Sequence, residues 1–190
     1  MDYLLDLLQG LGIAAGIGIR PFLPTLLVGA LAARNLGVDF DGTDFSFLEQ
    51  AGFLLAILVL VAVLGFVERR RIALPALALG GVSVILGALA AAGSLADHSA
   101  TWWPGLIAGA AAAALGFAAT TSLLVRVRGR LDAQTAGALP LYAEAGGVSA
   151  AGLSVLFPPL AVVIVGGLGW LLAGGRRRAG EKYAGLRILR

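Results

Sequence analysis

An all-α, polytopic integral membrane protein is the fold class this sequence predicts, and three observations predict it. The chain of 190 residues is 59% hydrophobic and 13% charged, with a mean hydropathy of +0.93. That much apolar surface exceeds what a soluble domain of this length can hide. Several apolar segments approach or exceed the roughly 20 residues that a helix needs to cross a hydrocarbon core. The basic residues gather between segments, as "ERRR" (68–71), "RVRGR" (126–130) and "RRR" (176–178), which is the pattern of topology signals.

Apolar segments fall at about 3–19, 21–36, 48–67, 72–96, 103–125, 137–157 and 158–174. The three from 48 to 125 read as full spanning helices. Residues 3–19 would rise only about 25 Å as a helix, short of a core about 30 Å thick. Pro21 then removes an amide donor and disfavours helix at the residue before it. The expected organisation is one membrane domain. Residues 1–36 form a first broken or re-entrant helix pair, 47–125 hold the three spanning helices, 132–175 form a second broken pair, and 176–190 are a basic cytoplasmic tail.

The two awkward regions resemble each other. "AAGIGIRPFLPTLLVGAL" (14–31) lies over "AAGLSVLFPPLAVVIVGGL" (150–168) with one inserted residue, and prolines and glycines coincide as well as aliphatics. The acidic "NLGVDFDGTDFSFLEQ" (35–50) and the acidic N-terminus belong outside, the basic clusters inside. This places the N-terminus outside and the C-terminus in the cytoplasm of a bacterial inner membrane. The two copies then have opposite orientation, as in inverted-repeat transporters whose discontinuous helices meet near the bilayer midplane. "MDYLLDLLQG" carries Asp2 and Asp6 where a signal peptide would carry basic residues, so it reads as retained structure.

Arg20, between Pro21 and the apolar run before it, is the sharpest feature. A charge deep in a membrane is costly and faces a cavity, a carboxylate or free carbonyls. Arg20 is therefore read as an anion or phosphate-headgroup contact beside the amides of a helix starting near Pro21, or else as a residue that snorkels or neutralises an internal carboxylate. Glu144 is the internal carboxylate best placed to pair with it, or to take up a proton or cation, with an interfacial anchor near Tyr142 as the alternative. Glu68, against Arg69–Arg71, reads as a solvated interface residue. Pro21, Pro24, Pro158 and Pro159 would hold the breaks, and Ser149 completes the expected substrate-binding set.

Small residues, among them Gly12, Gly16, Gly105, Gly109, Ala113 and Gly116, recur at spacings that suit close helix packing. Trp102, Trp103, Trp170 and Tyr3 read as interface anchors. Catalysis finds little support: the one histidine, His98, sits beside Asp97 in a short loop, and the chain has no cysteine. No enzymatic activity, cofactor or metal site is expected. Without an aromatic-interleaved basic face, nucleic acid is not an expected partner. Membrane lipids, anionic ones included, are, and the small-residue faces offer a route to homo-oligomers.

The stretches "GLGIAAGIGIRPFLPTLLVGALAA" and "GALPLYAEAGGVSAAGLSVLFPPLA", with a spanning helix between them ending at Glu68, resemble a family of small bacterial membrane proteins known as domain of unknown function 4126. The first resembles its Gly-x-Arg-x-x-x-Pro segment, the second its Asn-Pro segment leading to Glu-Asp and a later proline. Arg20, Pro24, Pro140, Glu144 and Pro159 fall on those positions, and the resemblance covers most of the chain. Leu139 replaces the family's Asn, Ala143 precedes Glu144, and Ala145 stands where Asp would follow, which weakens a polar site built on the second segment. The resemblance implies membership and topology and names no substrate.

The sequence thus points to a transporter or channel-like protein moving a small solute, ion or anionic lipid headgroup between inverted repeats. The alternative is a non-transporting membrane scaffold or assembly subunit.

Overall fold

The computed structural model describes residues 2–70, 75–96 and 101–184, and these residues form an all-helical polytopic membrane protein. The helices are α1 (Asp2–Ile19), α2 (Phe22–Ala32), α3 (Ala51–Arg69), α4 (Ala76–Ala96), α5 (Trp103–Arg128), the short α6 (Ala133–Ala136), α7 (Leu139–Leu156) and α8 (Leu160–Ala184). A single 3₁₀ turn, Ser46–Leu48, precedes α3.

Prolines set the two breaks. The Arg20 amide still donates to the Gly16 carbonyl, but Pro21 has no amide to continue the ladder, and α2 restarts at Phe22. Pro24 is harmless in the first turn of α2, where amides lack intrahelical partners anyway. The second break is sharper. Phe157 leaves the helical region at φ −144° and ψ 85°, as the residue before a proline does, and Pro158 and Pro159 separate it from Leu160.

Among the described residues, four helices are long and apolar enough to cross a membrane: α3, α4, α5 and α7. Sequence reading expected three, with 137–157 as one arm of a broken pair. Pro140 explains the difference, since it lies in the first turn of α7, where it permits an uninterrupted helix of 18 residues. At the other end, α8 continues beyond the apolar segment, through "RRR" to Ala184.

Close approaches give the direction of each helix. Gly12 of α1 faces Ser154 and Ala161, Gly16 faces Gly147 and Ala151, and Gly147 faces Pro24 and the Arg20 stem, so α1 and α7 run antiparallel. Gly29 of α2 touches Leu48 and Leu54, while Phe22 lies beside Val63 and Val67, so α2 runs back along α3. The pair α1–α2 is thus a helical hairpin turning at one end of the bundle. The pair α7–α8 turns at the other end, where Val155 lies against Gly37.

At the centre stands α1, packed against α4, α5, α7 and α8, with Ile13, Ala14, Ala15 and Ile17 fully buried. Small residues permit this: a Cβ on Gly18 would lie 2.2 Å from the Ala113 carbonyl oxygen, and one on Gly116 would lie 2.5 Å from that of Ala15. Backbones in such contact gain dispersion energy that larger side chains would block. The segment between α2 and α3 caps the end opposite Arg20. Val38, Phe40, Phe45 and Leu48 are buried there, the Gln9 side-chain amide donates to the Gly37 carbonyl, and Trp102 packs edge-on against Phe45 at 5.7 Å.

Candidate functional site

The turn of the first hairpin delivers Arg20 to two carboxylates from different helices. Its Nη1 lies 2.7 Å from Glu68 Oε1, at the C-terminal end of α3, and donates a hydrogen bond to it. Its Nε lies 3.7 Å from Glu144 Oε1, in the second turn of α7. The Arg20 and Glu144 side chains are 11% and 15% exposed, that of Glu68 32%. Glu144 Oε2 is buried and has no hydrogen-bond partner.

Local structure holds this geometry. The Thr25 hydroxyl donates to the Pro21 carbonyl at 2.5 Å, tying the first turn of α2 to the break. Gly147, one turn after Glu144, lets α7 approach: a Cβ there would meet Pro24 Cγ at 3.1 Å. Phe22 and Val67, sequence neighbours of the charged pair, line an apolar cleft of about 210 Å³ between α2, α3 and α4, with Pro75 and Leu79 on its far wall.

Three expectations are corrected. Glu68, read from the sequence as a solvated interface residue, is the nearest partner of Arg20. It is the only acidic residue of α3, and that isolation within an apolar helix was the signal available. Arg20 does not lie near mid-depth: it stands beside the penultimate residue of α3, where it neutralises internal carboxylates, the second of the two roles read from the sequence, with the expected Glu144 as one partner. The two breaks do not meet, because Pro158 and Pro159 turn the chain at the far end of the bundle.

Of the predicted set, the structure brings together Arg20, Pro21, Pro24 and Glu144. Ser149 is exposed on another face of α7, and Pro158 and Pro159, half-buried and exposed, are remote from the cluster. Asp97 and His98 lie outside the described residues, as do the side chains of Arg176–Arg178. Among the described residues no group of three or more histidines or carboxylates has the arrangement of a metal site.

No family model, curated protein or solved structure matches the chain.

Proposed function

We propose that this protein is a membrane transporter in which the Arg20–Glu68–Glu144 cluster takes up a proton or small cation as it moves a small solute, ion or lipid headgroup. One observation carries the reading: a buried carboxylate oxygen of Glu144 lacks a hydrogen-bond partner beside a guanidinium already engaged by Glu68. One guanidinium facing two carboxylates leaves the cluster one positive charge short, and a buried unpaired charge is expensive. A proton or cation arriving at Glu144 would remove that cost, and its departure would restore it. Such a difference between two loaded states is what a coupled transport cycle needs.

The arrangement of the hairpins supports an inverted repeat. Their turns lie at opposite ends of the bundle, and the contact of α1 with α7 runs through Gly16 and Ala151, within the aligned Ala-Ala-Gly triplets. A dyad at that crossing would exchange the hairpins. With the basic clusters inside, the charged cluster lies toward the cytoplasmic end of an inner-membrane protein, and the cleft at Phe22 and Val67 would connect it sideways to lipid.

A second reading, the scaffold, is favoured by the same crossing. A Cβ on Gly16 would lie 2.7 Å from the Gly147 carbonyl oxygen, so the contact is close-packed and offers no passage along the helix pair. The deciding experiment reconstitutes the wild type and Glu144→Gln in liposomes containing a pH-sensitive dye, under an imposed proton gradient. Transport predicts faster proton entry in wild-type vesicles than in empty ones, abolished in Glu144→Gln. Equal rates in all three, across proton, sodium and potassium gradients, would leave the scaffold.

A further inference from the structure

A second feature lies apart from the charged cluster. The last turns of α5 and the middle of α8 enclose a half-open groove of about 630 Å³. Leu123, Trp170 and Leu171 supply apolar wall, and Arg126 and Arg130 supply its charge. Gly175 lets the Arg126 guanidinium lie against the α8 backbone, where a Cβ would stand 1.6 Å from its Nη1. Among the described residues, no carboxylate lines the groove and neither arginine has an ion-pair partner.

We propose that this groove binds an anionic phospholipid. The two arginines lie where α5 ends, the level at which a spanning helix meets the headgroup layer, while Leu123, Leu171 and Trp170 extend toward the apolar interior. A phosphate would be held by the paired guanidiniums and an acyl chain would run along the apolar wall. Charge complementarity selects the occupant, because a zwitterionic lipid offers the cations a headgroup that already carries its own counter-charge. Gly175 seats the Arg126 guanidinium against the backbone of α8, which a purely lipid-exposed helix face would not require.

The test compares lipids retained by the purified full chain in detergent, counted by native mass spectrometry after addition of equimolar phosphatidylglycerol and phosphatidylcholine. Attraction near a membrane surface is worth roughly fivefold per arginine, so the wild type should prefer phosphatidylglycerol by about thirtyfold. Arg126→Gln/Arg130→Gln should lose that preference, Arg126→Lys/Arg130→Lys should keep most of it, and Gly175→Leu should lower occupancy with both charges intact. Equal retention of the two lipids by the wild type, or an undiminished preference in the glutamine variant, would overturn the assignment. So would inorganic phosphate protecting the protein from thermal unfolding as well as phosphatidylglycerol does, since the ligand would then be a free anion. The wild-type comparison stands even if a variant fails to fold.

Discussion

Arg20 and Glu68 are 48 positions apart in sequence and join at 2.7 Å, tying the turn of the first hairpin to the end of α3. That helix packs chiefly against α2 and turns much of its surface outward, with Leu55, Val59, Val63 and Phe66 exposed. The ion pair is therefore one of few polar links between α3 and the bundle. The same guanidinium also meets Glu144, through Nε at 3.7 Å.

The cluster should respond asymmetrically to mutation. Arg20→Met leaves two carboxylates without a cation and should cost about 3–5 kcal/mol, the range for breaking a buried pair. Glu68→Gln should cost less, because Glu68 is the most exposed member and its amide can still accept from Arg20. Glu144→Gln should cost least, since it removes one of two carboxylates that share a single guanidinium while preserving shape. Unfolding of the three variants in mixed micelles checks the order. A Glu144→Gln variant less stable than Arg20→Met would show that Glu144 is the true partner.

The α1–α7 crossing should tolerate little added volume. Gly16→Val would drive a side chain into the Gly147 carbonyl and the Ala151 amide, where even a Cβ would sit at 2.7 and 2.8 Å. Overpacking of this kind costs about 1–3 kcal/mol or more. Gly166→Val in α8 meets nothing within 4 Å and should leave the melting temperature near that of the wild type. Paired thermal melts of the two variants make the comparison, and equal losses would place the close contact elsewhere.

The sequence revealed the helices well because hydropathy and proline both act locally. The apolar runs at 48–67, 72–96 and 103–125 became α3, α4 and α5, and the proline clusters at 21 and 158 became the breaks. What it could not reveal was which ends meet. The partner of Arg20 depends on the course of α1 and α3 through the bundle, and no local pattern encodes that. Glu68 looked like an interface residue because its neighbours are arginines, while its hydrogen bond is made to a residue 48 positions earlier. Similarly, Ser149 sat in an attractive motif, but helical rotation carries it away from the face that presents Glu144 and Gly147.

Beyond the spanning segments, Asp132 should make the start of α6 sensitive to acid. Its carboxylate accepts from the Thr135 amide at 3.3 Å, and the Thr135 side-chain hydrogen bond is the main cause holding its pKa below the usual aspartate value. Because the folded-state pKa is the lower one, the contribution is present above the unfolded pKa and lost as pH falls through the folded value. Amide exchange at Thr135 should therefore accelerate below about pH 4, and in Asp132→Ala it should be fast at every pH. Exchange that ignores both changes would dismiss the cap.

Orientation can be read directly because the chain has no cysteine, so each introduced thiol reports alone. Asp41 lies in the segment that caps one end of the bundle, and Gly129 follows α5 at the other end, beside Arg126 and Arg130. The positive-inside bias predicts that the basic end faces the cytoplasm. Asp41→Cys should thus react with a membrane-impermeant maleimide on intact cells, and Gly129→Cys only after permeabilisation. Both sites avoid the buried cluster, so labelling should not be limited by packing. The reverse pattern would invert the whole assignment, moving Arg20, Glu68 and Glu144 toward the external face and requiring the lipid groove to draw from the outer leaflet.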